Sequence, residues 1–297
     1  MSHVQPRVSV IIPVYNRVHF VAATIHSVLD QTFQDFELIA VDDGSTDGSR
    51  QLLESFGERV RILEHPGRVN RGQSAALNLG LQHARGKYVG LLDSDDLWLP
   101  RKLELQSKYL DAHPDVGLVY GNGLAIDADG NKLYDIYPQG HAEHSDPSRV
   151  LLDCYFLVPN NSLVRRKVFD RVGGFDESLR AAQDHDMAIR IAEVTRLAYM
   201  DVSVFCYRRH PDSISRKRAD VRWRNGFSIL SKAGARYPYP RSVLRRRRAV
   251  LHFRLGQCCL EARAPLNALK HMAAAFMLDP VRSLAVVAGR ERITSPH

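Results

Sequence analysis

Two runs of carboxylates stand where two apolar strands are predicted to end. Asp42-Asp43 follows the run Phe36–Val41, and Asp93-Ser-Asp-Asp96 follows Tyr88–Leu92. In an open parallel sheet, ligands bind at the carboxyl ends of the strands, so both runs should open into one crevice. Carboxylates this close repel one another, and a divalent cation relieves that repulsion. The pattern indicates Mg²⁺ or Mn²⁺ shared with substrate phosphates; the alternative is that these acids only end strands and cap helices.

The familiar glycine-rich phosphate loops are absent from the sequence, since neither G-x-x-x-x-G-K nor G-x-G-x-x-G occurs. The phosphates of a bound nucleotide would therefore be neutralised by the metal. Tyr15 follows the first predicted strand, Val8–Ile12, and stands at the same edge of the sheet. Its ring could stack on a base while Asp43 accepts a base N–H; the alternative is an ordinary core aromatic.

The elements that must position these residues alternate between strand and helix patterns over the first 130 residues. Helical spacing such as that of Gln73–Ala84 separates the short apolar runs. The predicted strands are Val8–Ile12, Phe36–Val41, Val60–Leu63, Tyr88–Leu92 and Val116–Ala125. The alternation predicts an α/β fold with a mainly parallel sheet flanked by helices. Asp127–Asn131 is predicted as a hairpin turn, and Tyr134–Arg149 as a loop that helps to define the acceptor.

Composition excludes several classes of protein. With 297 residues, 44% apolar and 25% charged, the chain suits a globular protein rather than a disordered one. No apolar run is long enough to span a bilayer, and residues 1–7 lack a secretory signal. The four cysteines form no C-x-x-C pair, which argues against a zinc ribbon or a disulfide framework. We therefore expect a cytoplasmic protein.

Positive charge is concentrated in one part of the chain. Residues 205–254 contain 15 lysines and arginines against 2 acids, whereas the whole chain carries +8. Such a segment meets phosphates of a nucleotide, a nucleic acid or an anionic lipid, or forms a solvated helical face. From about Arg222 onward only helical patterns occur, which places a domain boundary near residues 215–222.

Several motifs together are similar to those of the family 2 glycosyltransferases, which have the GT-A fold. Three of them are Val8–Asn16, Val41–Asp47 and Leu91–Asp96. Further segments resemble the family pattern in the same order: Asn70–Ala76 with Asn78, Gly173–Glu177, Gln183–Asp186 and Tyr207–Ser215. The resemblance covers residues 7 to 215, and the combination is more specific than any single motif.

The resemblance implies a GT-A (Rossmann-like) catalytic domain over residues 1–215, and the helical patterns that follow predict a C-terminal helical region over 216–297. It also implies transfer of a sugar from a nucleotide-diphosphate sugar, foremost a UDP-sugar, to a hydroxyl acceptor with inversion. The implied cofactor is Mg²⁺ or Mn²⁺. The expected acceptor is a saccharide or a lipid-linked molecule, and no nucleic-acid partner is expected.

The same resemblance assigns roles to residues. Pro13 and Tyr15 would shape the base pocket, and Asp43 would hold the base. The metal side is formed by four further residues. Asp93 and Asp95 would contact the sugar nucleotide, with Asp95 and Asp96 nearest the metal. His210 would be a metal ligand or phosphate contact, or else a solvated loop residue.

Asp184 would be the general base, which must reach the acceptor hydroxyl to remove its proton. From the sequence alone, Asp184 or Asp186 could instead cap the following helix. The chain departs from the family pattern at two positions. Gln183 replaces the usual Glu, which removes a like charge beside the base and should lower its basicity slightly. Leu77 replaces the Arg of many relatives.

The helical region has the small-residue spacing of one tetratricopeptide helix pair, at Leu255-Gly256, Ala268, Ala275 and Pro280. We expect a helical hairpin packed on the catalytic domain. The alternative is docking on a partner or on an anionic membrane at its inner face, through Arg241–Arg248.

Two other functions remain open at this point. Asp93-Ser-Asp95 superficially resembles the aspartyl-nucleophile motif of haloacid-dehalogenase-like phosphatases, although Leu97 stands where that class has Thr. That reading predicts phosphoryl transfer. The other is a non-catalytic protein that binds a sugar nucleotide or a partner.

Overall fold

The computed structural model describes residues 5–153, 158–210 and 219–287. Within these ranges the chain forms two compact units. The sheet unit comprises the described parts of 1–145, 156–178 and 183–210, and the helical unit those of 146–155, 179–182 and 211–297. The predicted domain boundary at residue 215 lies outside the described residues, as do Cys154 and the last part of Tyr207–Ser215.

One mixed sheet forms the core of the sheet unit. In chain order its strands are Val8–Val14 (β1), Phe36–Asp42 (β2), Arg61–Glu64 (β3), Tyr88–Leu91 (β4), Leu97–Trp98 (β5), Val116–Ile126 (β6), Lys132–Asp135 (β7), Ser162–Arg165 (β8) and Arg196–Arg208 (β9). The strands pair in the order β3-β2-β1-β4-β8-β6-β9-β5, and β7 adds to β6.

Strands β1 to β4 form a parallel half-sheet, which confirms the four strands predicted there. Val8 of β1 lies opposite both Phe36 of β2 and Tyr88 of β4. All seven residues of β1 are buried, as expected for a strand covered on both faces. Because the registers start together, the segments after β2 and β4 leave the sheet at the same edge.

Pro13 lies inside β1, although proline is rare in central strands. The pairing of β1 with β4 ends at Ile11 and Leu91, whereas the pairing with β2 continues to Val14. Backbone groups of Ile11 face β4, as the bond from Leu92 N–H to the Ile11 carbonyl shows. By strand alternation the missing N–H of Pro13 faces the same side, beyond the end of β4, and no ladder bond is lost.

The second half of the sheet is mixed. The predicted turn Asp127–Asn131 is confirmed, because it joins the antiparallel strands β6 and β7. The predicted loop is shorter than Tyr134–Arg149, since β7 reaches Asp135 and a helix begins at Pro147. Strand β9 is absent from the sequence predictions. Its burial does not alternate regularly along its length, so it lacks the period-two signal.

Helices flank the sheet and make up the helical unit. They are Val21–Leu29 (α1), Ser49–Glu54 (α2), Gln73–His83 (α3), Lys102–Ala112 (α4), Pro147–Leu152 (α5), Val158–Asn161 (α6), Arg166–Val172 (α7), Gln183–Val194 (α8), Ala219–Arg236 (α9), Arg241–Glu261 (α10), Pro265–Leu278 (α11) and Pro280–Val287 (α12). None of the helices in the described ranges offers a stretch apolar and long enough to span a bilayer.

Helices α10 and α11 of the helical unit form a hairpin. Ala268 and Ala275 of α11 are each 2% exposed, and a Cβ on Gly256 of α10 would lie 2.8 Å from Met272 Cε. Small residues therefore allow the two helices to approach closely. Arg263 in the connection takes φ 56°, a conformation usually left to smaller residues.

Candidate active site

The first acidic turn, Asp42–Gly48, follows β2, and backbone N–H groups hold its carboxylates. Asp43 is 2% exposed, and its two oxygens each accept a hydrogen bond at 2.8 Å, one from Arg71 N–H and one from Gly72 N–H. Gly44 has φ 78°, and a Cβ there would lie 2.7 Å from the Arg68 carbonyl oxygen. The turn requires glycine because another backbone segment passes directly against it.

Pro13 and Tyr15 lie at the end of β1, beside this turn. Pro13 is buried, whereas Tyr15 is 45% exposed, so its ring is not a core aromatic. Asn16 has φ 51°, which asparagine tolerates, and its Oδ1 accepts a hydrogen bond from Thr46 N–H at 2.8 Å. This bond fixes the end of β1 against the first acidic turn.

Three consecutive residues at the start of α3 connect the first acidic turn with the second acidic turn, Asp93–Asp96. The backbone of Arg71 and Gly72 binds Asp43, as described above. The next residue, Gln73, donates from Nε2 to Asp93 Oδ1 at 2.7 Å. Acids that follow two different strands therefore contact the same short segment.

Asn160, at the end of α6, bridges two acids of the second acidic turn. Its Nδ2 lies 2.6 Å from Asp96 Oδ2 and 3.0 Å from Asp93 Oδ2, and its Oδ1 accepts from Asp93 N–H at 2.8 Å. The sequence analysis missed this residue. The available signal is the pair Asn160-Asn161 within an apolar stretch, because buried amides are costly unless they are hydrogen-bonded.

Two basic side chains bind Asp95. Arg17 Nε and His210 Nε2 each lie 3.1 Å from Asp95 Oδ2. His210 is 3% exposed, so it is not a solvated loop residue. Arg208 completes the frame: its Nε donates to the Asp95 carbonyl oxygen at 3.0 Å, and its N–H donates to Asp96 Oδ1 at 2.7 Å.

Crowding shifts the pKa values of these carboxyls in opposite directions. Burial, reinforced by the charges of Asp95 and Asp184, raises the pKa of Asp93 to about 7. Burial and the charges of Asp95 and Asp93 raise the pKa of Asp96 well above its usual value. Burial also acts to raise the pKa of Asp95, but the hydrogen bond from His210 and the charge of Arg17 outweigh it and lower that pKa. Another cation here would relieve the remaining repulsion.

Asp184 lies half-buried in the first turn of α8. Its charge contributes to the raised pKa of Asp93, and its neighbour Gln183 is linked to Asp93 through Gln73. Asp186, in the same helical turn, is 2% exposed and pairs with Arg190 at 2.8 Å. Asp186 is therefore committed to an ion pair within its own helix, which leaves Asp184 as the candidate base.

The two departures from the family pattern have different surroundings. Gln183 Nε2 donates to Gln73 Oε1 at 2.8 Å, and Gln73 in turn donates to Asp93. The amide at 183 thus turns the NH₂ group of Gln73 toward Asp93, which a carboxylate could not do because it has no donor. Leu77 is 1% exposed and belongs to the core.

The oxygens of Asp95 and Asp96 and the imidazole of His210 are the donors that could hold a cation. Throughout the described ranges, no three His, Cys, Asp or Glu side chains form a ready-made metal site. The donor set nevertheless fits Mg²⁺ or Mn²⁺, since such an ion takes one or two carboxylates and completes its shell with substrate phosphates.

A family model described as Glycosyl transferase family 2 matches residues 9–173, more than half of the chain. The chain belongs to glycosyl transferase family 2. This membership confirms the resemblance read from the motifs. The matched range contains both acidic turns, Gln73 and Asn160.

Curated relatives of this glycosyltransferase are longer than the region they share with it. Chondroitin synthase from Pasteurella multocida is 29% identical over 239 residues, which are 78% of this chain and 24% of that protein. The chain spans only about a quarter to a third of the first relatives that it matches.

Solved structures confirm the GT-A fold. Residues 1–349 of S. aureus TarS, in complex with UDP-GlcNAc, superpose with a TM-score of 0.70 at 19% identity, covering 96% of this chain and 88% of that chain. The mannosyltransferase PcManGT from Pyrobaculum calidifontis, in complex with GDP-Man and Mn²⁺, gives a TM-score of 0.64 at 23% identity, covering 97% and 80%.

Proposed function

We propose that this glycosyltransferase moves a sugar from a nucleotide-diphosphate sugar, foremost a UDP-sugar, to a hydroxyl group of a saccharide or lipid-linked acceptor, with inversion. The observation that carries the proposal is the meeting of Asp43, Asp93 and Gln183 on the short segment 71–73. The bound UDP-GlcNAc and GDP-Man of the neighbouring structures support it. The family assignment argues against the phosphoryl-transfer and non-catalytic alternatives.

The nucleotide would lie at the first acidic turn. The exposed ring of Tyr15 offers a stacking surface, and Pro13 gives the end of β1 a fixed backbone angle. Asp43 has both oxygens on backbone N–H groups, and each oxygen keeps a second lone pair for a base N–H.

The diphosphate would lie at the second acidic turn. Asp95, Asp96 and His210 would hold Mg²⁺ or Mn²⁺, which when bound supplies positive charge against the departing diphosphate. Arg17 and Arg208 keep the turn in place, as their bonds to Asp95 show. Asp93 would orient the sugar, since Gln73 and Asn160 fix its two oxygens.

Asp184 would act as general base. It would take the proton from the acceptor hydroxyl while that oxygen forms a bond to the anomeric carbon. The bond from this carbon to the diphosphate oxygen breaks at the same time, and its electron pair leaves with the diphosphate. Attack from the face opposite to the leaving group inverts the anomeric centre.

Asp184→Asn tests this role, with Asp170→Asn as the control because Asp170 is an exposed carboxylate on α7. We expect Asp184→Asn to lower turnover of the accepted sugar nucleotide by about 100-fold or more while calorimetric donor affinity stays within a few-fold. A donor panel with Mn²⁺, read as thermal stabilisation, selects the nucleotide first. Turnover equal to that of the parent would remove Asp184 from the mechanism.

We also propose that the helical unit contacts an anionic membrane surface. Residues 219–287 carry 13 lysines and arginines against 3 acids. The last two helices expose an apolar stripe at helical spacing, comprising Leu266, Leu269, Met277, Val281 and Leu284, each 58% to 82% exposed. An excess of basic residues together with an exposed apolar helix face is typical of binding in the plane of a membrane.

Vesicle sedimentation tests this contact. The parent should pellet with vesicles containing phosphatidylglycerol at low salt, release at high salt, and remain in solution with phosphatidylcholine alone. Met277→Glu should weaken binding several-fold, whereas Ser231→Glu, which adds the same charge at an exposed position of α9, should weaken it less. Two results would contradict the proposal. One is no pelleting at low salt, and the other is a concentration-dependent dimer in which the apolar stripe is buried between two copies of the chain.

A further inference from the structure

Three successive carbonyl oxygens, those of Asn160, Asn161 and Ser162, each accept a hydrogen bond from a buried side chain of β5 or α4. The first accepts from Trp98 Nε1 at 2.8 Å, the second from Gln106 Nε2 at 2.7 Å and the third from Lys102 Nζ at 3.1 Å. Carbonyls at the end of a helix lack partners within it, so these bonds fix the end of α6.

The three donors form one connected network. Lys102 Nζ also donates to Gln106 Oε1, which turns the NH₂ group of Gln106 toward Asn161. The same Nζ lies 4.7 Å from the centre of the Trp98 ring. Lys102 and Gln106 are 0% exposed and Trp98 is 3% exposed. Burying an amine is costly, and burial lowers the pKa of Lys102 well below its usual value.

What this network holds is the backbone of Asn160, whose side chain bridges Asp93 and Asp96. Trp98 itself follows the second acidic turn by two residues, so the chain closes a loop from the turn through Trp98 and Asn160 back to the turn. A leucine-lined core would fill the same space without binding any of these carbonyls.

We propose that Lys102, Gln106 and Trp98 are positioning residues that hold Asn160 against the second acidic turn and thereby set the arrangement of Asp93 and Asp96 for the donor diphosphate. This inference rests on the proposed function for the identity of the ligand, whereas the placement of Asn160 follows from the hydrogen bonds alone. The Asp93 N–H bonds to Asn160 Oδ1, so that amide reports the position of Asn160 without any ligand.

Hydrogen exchange at Asp93 N–H in the full chain is the first test. Trp98→Phe keeps a ring but removes the donor to Asn160, and Lys102→Met keeps the length but removes the amine. We expect both to accelerate exchange at this amide by about 10-fold or more. Ser107→Ala is the matched control, because Ser107 is buried on α4 and, among the described residues, its hydroxyl donates within its own helix, to the Glu104 carbonyl at 3.3 Å.

A double-mutant cycle on ligand binding is the second test. Trp98→Phe should weaken Mn²⁺-dependent UDP binding by about 10-fold in the parent, but by less than 2-fold in an Asn160→Ala background. A purely structural role would give equal factors in both backgrounds, and unchanged exchange at Asp93 would also overturn the inference. If the parent binds no nucleoside diphosphate, the proposed function fails, while the exchange result still decides this inference. Trp98→Phe carries both tests if Lys102→Met does not fold.

Discussion

The two acidic turns follow β2 and β4, the parallel strands on either side of β1, yet different kinds of donor hold Asp43 in the first turn and Asp93 and Asp95 in the second. In the first acidic turn, backbone N–H groups occupy both oxygens of Asp43. In the second, the donors to Asp93 and Asp95 are side chains of Gln73, Asn160, Arg17 and His210. Backbone donors keep their positions as long as the fold does, whereas side-chain donors can be exchanged or displaced.

We propose that this difference separates recognition of the nucleotide, at the first turn, from the chemical step, at the second turn. A carboxylate fixed by backbone groups offers the same shape before and after a ligand binds. Three crowded carboxylates, two of them with raised pKa values, store repulsion that a cation and a diphosphate can release. We therefore expect changes in the first turn to act mainly on stability and changes in the second mainly on activity.

Asp95→Asn should have the largest effect. It removes the charge that Arg17 and His210 bind and a proposed cation ligand, so turnover should fall by about 100- to 1000-fold with little change in melting temperature. Kinetics with Mn²⁺ and thermal unfolding measure the two quantities, with Asp129→Asn in an exposed turn as the control. A large drop in melting temperature with normal turnover would reverse the comparison.

Gly44→Ala probes the first turn. A Cβ here would lie 2.7 Å from the Arg68 carbonyl oxygen at a φ of 78°, so we expect a loss of about 3 kcal/mol in the free energy of unfolding. At Gly130, with φ 94°, an added Cβ would meet no described atom within 4 Å. Gly130→Ala should therefore lower the free energy of unfolding by only about 1 kcal/mol. Urea unfolding of both variants measures the difference. Equal losses would show that close approach of the backbone contributes nothing.

The raised pKa of Asp93 predicts a pH dependence. Between about pH 4 and about pH 7 the native state holds a proton on Asp93 that the unfolded chain has lost, so this group makes the protein less stable as pH rises. From pH 5 to pH 8 the parent should lose about 2–3 kcal/mol relative to Asp93→Asn. Urea unfolding across this range measures how the free energy of unfolding changes with pH. The same pH dependence in the parent and in Asp93→Asn would contradict the raised pKa of Asp93.

Gln183→Glu should have the smallest effect. It restores the usual family residue, but a glutamate cannot donate a hydrogen bond to Gln73 Oε1. The NH₂ group of Gln73 is then no longer held toward Asp93. We expect the affinity for the sugar nucleotide to fall by about 3- to 5-fold rather than to rise. The same change in a Gln73→Ala background should have no effect; a gain in affinity would show that the amide chain is dispensable.

The sequence was sufficient for the parallel half of the fold, because β1, β2 and β4 contain short buried apolar runs, and those of β2 and β4 lead directly into acids. The acids of both turns could be predicted for the same reason. Asn160 could not, since it comes from a segment 64 residues beyond Asp96 and meets the turn only through the fold. Strand β9, which carries Arg208 to Asp95, lacked a periodic signal.

The three residues of segment 71–73 differ in how a substitution at each would affect the acidic turns. Residues 71 and 72 act through their backbone, so a change of side chain at Arg71 leaves its N–H bond to Asp43 available, whereas Gly72, at φ 93°, has to remain glycine. Residue 73 acts through its side chain, so each substitution there changes or removes the hydrogen bond to Asp93. Directed evolution of the choice of sugar nucleotide should therefore begin at position 73. A substitution there changes the contact with Asp93, the proposed sugar contact, and leaves the backbone bonds to Asp43, the proposed base contact, in place.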